Sequence, residues 1–327
     1  MTPAARVLQE LLVVKPGERL VILHDAANTG LALAFEHAAS EAGVLPSRFD
    51  LEELAPRPWA TCPKVALEAL RGAGATILAV RPEEGEYECR AAIVQAARLA
   101  QARHAHMVGV SRRTFVESMA APVARVVGLL DALKAAMQPS SKITARSPAG
   151  TRVDIEMAPH LRWEASGGVV RPGAWINVPY GQLFSSPASI RGVYVANASM
   201  GGPVGARAGT LSSKPIKLVL EAGRVKSVEC ADRSLQVHVE RFIAEGDGHD
   251  RVGCVNLGAN IGIVAPAGEM LNDEHMPGLH LTLGDNYRDK TGAVWTARGQ
   301  LAFMMSESDV DLDGVPLIRR GRYVRFV

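Results

Sequence analysis

The chain has 327 residues, of which 47% are apolar and 21% charged, and a formal net charge of +2. That length is long for one core and comfortable for two, and the near-neutral charge points to neither a nucleic-acid nor an anionic-membrane partner. No run of about 18 apolar residues that could span a bilayer occurs; "MTPAARVLQELLVV" lacks the apolar core of a signal peptide; and Cys62, Cys89, Cys230 and Cys254 are widely spaced with no C-x-x-C, which argues against a structural zinc or a disulfide framework. The cytoplasm is the expected compartment.

In chain order, "RLVILHD" reads as a buried strand and "TGLALAFEHAASEAGV" as a helix ending near Gly43. "RFDLEEL" is strand-like. "PKVALEALRGAG" opens with proline and closes with glycine, as helices do. "ATILAV", "ECRAAIVQAARLAQAR" and "HMVGV" come next as strand, helix and strand, and a helical stretch covers about 113–138. Repeated β-then-α units predict a parallel sheet with helices on its faces.

The pattern changes at "MQPSSKITARSPAG", so a domain join is expected near 136–142. Downstream, glycine and proline recur every few residues and β-type runs dominate. "KITAR-SPAG-TRVDIEM", "KLVLEAGRVKSVE" and "DLDGVPLIRRGRYVRF" read as hairpins. "AWINVP", "GVYVANAS", "VGCVNLG", "LHLTLG" and "QLAFMM" read as short strands, with one helix over about 232–245. The expectation is an α/β doubly wound domain at 1–138 and a β-rich, barrel-like domain at 139–327.

Several local signals have ordinary readings. His24-Asp25 ends the first strand, where a doubly wound sheet faces its ligand crevice, but "HDAANTG" lacks the G-x-G-x-x-G spacing of a dinucleotide site. "DVDLDG" imitates the start of a calcium loop, yet its twelfth position is Arg320 where a bidentate Glu is required. It reads as a hairpin turn.

The order of motifs carries more than any one of them. "VKPGERLVIL", "PAGTRVDIEM", "WINVPYGQLFSSP", "GLHLTLGDNY" and "VDLDG", taken in sequence, resemble the M29 family of metal-dependent aminopeptidases, the aminopeptidase T type. The resemblance is closest to its short branch, which includes 2,5-dihydroxypyridine dioxygenase and a nitroanthranilate aminohydrolase. It implies an α/β N-terminal domain, a β-rich C-terminal domain holding a divalent metal, and a homodimer or larger homo-oligomer. The family's ligand positions fall on Gln182, Cys254, His280, Tyr287, Gln300 and Ala302.

A divalent cation needs several anionic or imidazole donors to replace its hydration. Gln182 and Gln300 are neutral and Ala302 donates nothing, so the resemblance leads to a degenerate metal site. No cofactor is expected, with Zn, Fe or Mn, held by His280 and Cys254, as the alternative if the family site survives through recruits such as Asp273, Glu274, His275 or Asp285. The remaining groups suit a small polar substrate: Cys254, His280 and Tyr287 as catalytic candidates, and Gln182, Asn256, Asn260, Glu274 and Gln300 as substrate-binding ones. A thiol beside an imidazole is the minimal nucleophilic pair.

Three readings are open. The first is a hydrolase-type enzyme acting on a small amide, amino-acid or ring substrate. The second is a non-catalytic paralogue that binds a small ligand or a partner. The third is a divalent-metal-dependent aminopeptidase or dioxygenase with substitute ligands.

Overall fold

The computed structural model describes residues 1–137 and 141–326. The described chain forms two compact units, Met1–Ala124 with Gly167–Tyr180, and Arg125–Ser166 with Gly181–Val327. The join expected at 136–142 includes residues 138–140, which lie outside the described residues. No described helix is long and apolar enough to cross a membrane.

The first unit holds a five-stranded, wholly parallel sheet in the order Leu45–Asp50, Arg19–His24, Ala75–Val80, Arg103–Val108, Trp175–Asn177. All six residues of Ala75–Val80 are buried, as a central parallel strand covered on both faces requires. The flanking helices begin and end as their sequences dictate. Thr29–Glu41 stops before Gly43, whose φ of 70° suits a residue without Cβ. The single helix expected over about 113–138 is instead two, Arg112–Ser118 and Val123–Ala136. Pro122 separates them, because its ring disfavours helical geometry in the residue before it. The fifth strand was legible in "AWINVP", but it pairs with Arg103–Val108 and not with the antiparallel strands around it in sequence.

The second unit is antiparallel and β-rich. An eight-stranded sheet contains the three expected hairpins: Lys142–Arg146 with Arg152–Glu156, Ile216–Glu221 with Arg224–Glu229, and Asp309–Leu312 with Val315–Arg319. A six-stranded sheet runs Ser199–Met200, Gln300–Met304, Gly278–Gly284, Val252–Gly258, Gln182–Ser185, Glu164–Ser166. Each sheet keeps two edges, so the barrel-like closure expected from sequence is replaced by open sheets. The helix Arg233–Glu245 is capped by Asp232, whose carboxylate accepts from the Ser234 and Leu235 amides.

The core of this unit lies on one face of the six-stranded sheet. Leu183, Val255, Leu257, Leu279, Leu281, Leu283, Leu301 and Phe303 are all buried there. From the eight-stranded sheet, the fully buried Tyr194 donates its hydroxyl to the Phe303 carbonyl at 2.8 Å, so even the phenol in this layer has a partner.

Candidate functional site

Side chains alternate along a strand, so the register that puts leucines on one face fixes which residues lie on the other. Phe184 stands opposite Asn256, and Asn256 opposite His280. Cys254 stands opposite Thr282, and Thr282 opposite Ala302. Gln182 and Gln300 belong to the same face, opposite Gly258 and Gly284. Every residue of Val252–Gly258 and Gly278–Gly284 is buried, so this is a covered sheet face with polar side chains on it.

Two glycines shape that face. At Val252/Cys254 the register slips by one, and the extra residue is Gly253, where a Cβ would overlap the Gly284 and Asp285 carbonyl oxygens. Such a bulge re-aims the next side chain, and here it turns Cys254 to the polar side. At Gly258 a Cβ would overlap the Met276 carbonyl, because the His275–Met276 segment lies over that strand. Asn260 holds the segment: its amide donates to the His275 carbonyl at 2.9 Å while its side-chain oxygen closes the turn on Gly262 at 3.0 Å.

The imidazoles show an uncommon state. His280 Nε2 meets the Met276 carbonyl at 2.9 Å, and since a carbonyl only accepts, Nε2 carries the proton. Nδ1 is then a bare lone pair, buried and without a hydrogen-bond partner among the described residues. His275 repeats the arrangement with the nitrogens exchanged: Nδ1 donates to the Leu271 carbonyl at 2.6 Å, and Nε2 is buried and unpartnered. Burial pushes the pKa of each down to about 4 against the pull of its carbonyl, so both are neutral acceptors near pH 7. Gln182 Oε1 is a third buried acceptor with no partner among the described residues.

Beside them Glu274, only 12% exposed, has its pKa raised by burial to about 8. Tyr287 caps the helix Arg288–Thr291 in left-handed geometry (φ 47°), donates to Gln300 Oε1 at 2.9 Å, and lies 5.5 Å from the Phe184 ring. Although 38% of Tyr287 is exposed, its hydroxyl is held above the usual phenol range, first by burial at its polar end and then by Glu274 and Cys254. Asn256 donates to Thr282 Oγ1 at 3.3 Å and is occupied within the sheet.

Cys254 and His280 lie on adjacent strands but are not joined. The thiol points to the Asp285 carbonyl at 3.9 Å, and burial, with Asp285, pushes its pKa above the usual thiol range. The expected thiol–imidazole pair is therefore not formed, and the sulfur is an un-ionised group. Of the further candidates, Asp273 accepts from the Ala267 and Gly268 amides at 2.8 and 3.0 Å and anchors a loop. His275 is the residue that motif matching undervalued. Its only sequence signal is the run "NDEH", and its place over Gly258 comes from the tertiary fold. A cleft of about 530 Å³ in the first unit, lined by Lys15, Glu18, Arg19 and Arg103, holds none of these residues.

Two solved structures match this architecture over almost the whole chain. One is 2,5-dihydroxypyridine dioxygenase from Pseudomonas putida KT2440, at TM-score 0.66 and 15% identity, covering 99% of this chain and 96% of that one. The other is wild-type AmpT from Thermus thermophilus, at TM-score 0.68 and 17% identity, covering 98% of each. The chain shares the fold of these two proteins. No family model and no curated protein sequence matches it. At these identities the likeness is one of fold, and chemistry must be argued from the site.

The positions where the M29 resemblance puts metal ligands carry few donors. Ala302 sits in an apolar cluster with Met270, Met276 and Met304, Cys254 keeps its proton, Gln300 is bonded to Tyr287, and Gln182 is a neutral amide. Among the described residues no three His, Cys, Asp or Glu side chains converge to hold an ion. A hard divalent cation would find one imidazole nitrogen at the family positions and no carboxylate.

Proposed function

We propose that this chain is a hydrolase-type enzyme on an M29 aminopeptidase-like scaffold, acting on a small amide, amino-acid or ring substrate without the family's metal set. The observation that carries the reading is the unpartnered Nδ1 of His280 on a buried sheet face. An unsatisfied buried acceptor costs about 1–3 kcal/mol, a cost that a bound N–H or O–H donor would relieve. Gln182 Oε1 and His275 Nε2 add two acceptors of the same kind. The Phe184–Tyr287 pair offers an aromatic wall for an apolar or ring portion.

In this reading Glu274 handles the proton. Its titration near 8 leaves it a carboxylic acid at neutral pH, able to protonate a departing nitrogen, with the bare imidazole nitrogens orienting water or substrate. Cys254 is a polar wall residue and not the nucleophile.

Turnover of a panel of amino-acid amides and aminoaryl amides tests this. Activity should fall as pH rises through about 8, vanish in Glu274→Gln, and drop at least tenfold in His280→Ala. Elemental analysis of protein purified without chelator should find no stoichiometric zinc, iron or manganese. About one ion per chain, lost in His280→Ala together with thermal stability, restores the metalloenzyme reading. The weak basicity of both imidazoles favours a second reading, a binding protein without chemistry. Tight binding of a panel member with no turnover, reduced in the same variants, establishes that one.

A further inference from the structure

The cleft of about 530 Å³ in the first unit lies at the N-terminal edge of its parallel sheet. Arg19 opens the strand Arg19–His24, Gly74 precedes Ala75–Val80, and Arg103 opens Arg103–Val108. These three strands are neighbours, so the loops that lead into them meet around one hollow. Ala73, Ala100 and Pro172 make the apolar part of its wall. Gln101, also on the wall, keeps a left-handed backbone (φ 56°) just past the helix Tyr87–Leu99, a place that favours glycine. Backbone held in such sparsely populated geometry gathers at ligand sites.

The charges in the cleft do not cancel. Lys15, Arg19 and Arg103 share it with a single carboxylate, Glu18. Arg103 and Glu18 satisfy each other: Arg103 Nη2 donates to Glu18 Oε1 at 2.5 Å, Nε to the Gly74 carbonyl at 3.1 Å and Nη1 to the Val13 carbonyl at 2.9 Å. Glu18 Oε2 accepts from the Lys15 amide at 2.8 Å, and a Cβ on Gly74 would lie 2.6 Å from Oε1, so the glycine makes room for the carboxylate. That pair belongs to the fold. Arg19 and Lys15, both exposed, are left over. Arg19 donates one bond, from Nη1 to the Arg71 carbonyl at 3.1 Å. Its Nε and Nη2, and the Lys15 ammonium, have no hydrogen bond or ion pair among the described residues. Two positive charges in one cleft therefore lack a counter-charge.

We propose that this cleft binds a phosphate monoester of a small organic molecule. The planar guanidinium of Arg19 matches two phosphate oxygens at once, and the Lys15 ammonium adds a compact point charge. A phosphate monoester carries about 1.5–2 negative charges at pH 7, which suits the two uncompensated cations better than the single charge of a carboxylate. The cleft is larger than a bare phosphate needs and falls within the roughly 300–1,000 Å³ of small-molecule pockets. The organic portion lies along Ala73, Ala100 and Pro172. Because both cations face water, the site fills from bulk solvent and weakens with salt. It lies wholly in the first unit and is independent of the hydrolase reading of the second.

Calorimetric titration of the intact protein at low salt with glycerol 3-phosphate, inorganic phosphate and glycerol tests the proposal. Glycerol 3-phosphate should bind once per chain and more tightly than inorganic phosphate, and glycerol should not bind. Raising sodium chloride from about 20 to 300 mM should weaken the binding several-fold. Arg19→Ala should lower the affinity about tenfold, the weight of a charged hydrogen bond. Arg19→Lys should lose most of that, because the charge remains but the fork does not. Lys15→Ala should lower it several-fold, whereas Arg112→Ala, an exposed cation outside the cleft, should leave it unchanged. Lys15 and Arg19 are exposed, so the ligand-free variants should melt as the wild type does, which separates lost binding from lost folding. No saturable binding up to about 10 mM, affinity indifferent to Arg19→Ala and Lys15→Ala, or equal affinity for inorganic phosphate and the monoester would each overturn the proposal.

Discussion

A buried polar cluster in each unit packs against a sheet, and the two clusters are built in opposite ways. In the first, the fully buried Asp25 accepts from Arg57 at 2.8 Å, from the Arg81 amide at 2.8 Å, and from the Asn28 side chain at 2.8 Å. Burial works to raise its pKa, but those donors and the Arg57 charge hold it below the usual carboxylate range. Glu86, equally buried, accepts from Arg57 at 2.9 and 2.6 Å and from the Trp59 amide at 3.1 Å. In the second unit His275, His280 and Gln182 each keep a buried atom with no hydrogen-bond partner among the described residues. Burial alone does not mark a site. A saturated network holds a fold together, whereas bare acceptors leave room for a ligand.

The sharpest way to break that comparison is to remove one member from each side. Asp25→Asn should cost about 3–5 kcal/mol in urea unfolding, because Arg57 and Arg81 lose a buried counter-charge. His280→Asn removes one hydrogen bond and should cost only about 1–2 kcal/mol while abolishing ligand binding. Equal costs would mean that His280 is structural.

Next in size is the space over Gly258. Gly258→Ala forces the His275–Met276 segment off the sheet, and overpacking of this kind costs about 1–3 kcal/mol.

Acid should then separate the bare imidazoles from the carboxylates. His275 and His280 titrate near 4 when folded and near the ordinary 6.5 when unfolded. Their contribution is present above pH 6.5 and lost as pH falls toward 4, since the unfolded chain then binds more protons. Each accounts for on the order of 2–3 kcal/mol. The double variant His275→Gln/His280→Gln should flatten the melting temperature between pH 6.5 and 4. Glu274 acts in the reverse direction. Its raised pKa makes stability fall as pH climbs from its ordinary 4.5 to about 8, and Glu274→Gln should remove that slope.

The smallest effect concerns the exposed end of the face. Gln300→Ala should change stability by less than about 0.5 kcal/mol, as exposed positions do. By freeing the Tyr287 hydroxyl it should nonetheless weaken ligand binding several-fold in calorimetry.

Much of this molecule is determined by sequence alone. Apolar runs such as "ATILAV" and the glycine-punctuated hairpins reflect local rules of burial and turn geometry, so the two kinds of sheet were legible without tertiary information. The alternation in "GLHLTLG" placed His280 opposite in direction to its leucines, which is why the polar face could be anticipated. Tertiary structure decided the rest, because those features depend on contacts between distant residues. Pairing alone sends Trp175–Asn177 into the parallel sheet. The bulge at Gly253 aims Cys254, and its burial keeps the proton on sulfur. Backbone carbonyls choose which nitrogen of His275 and His280 stays bare.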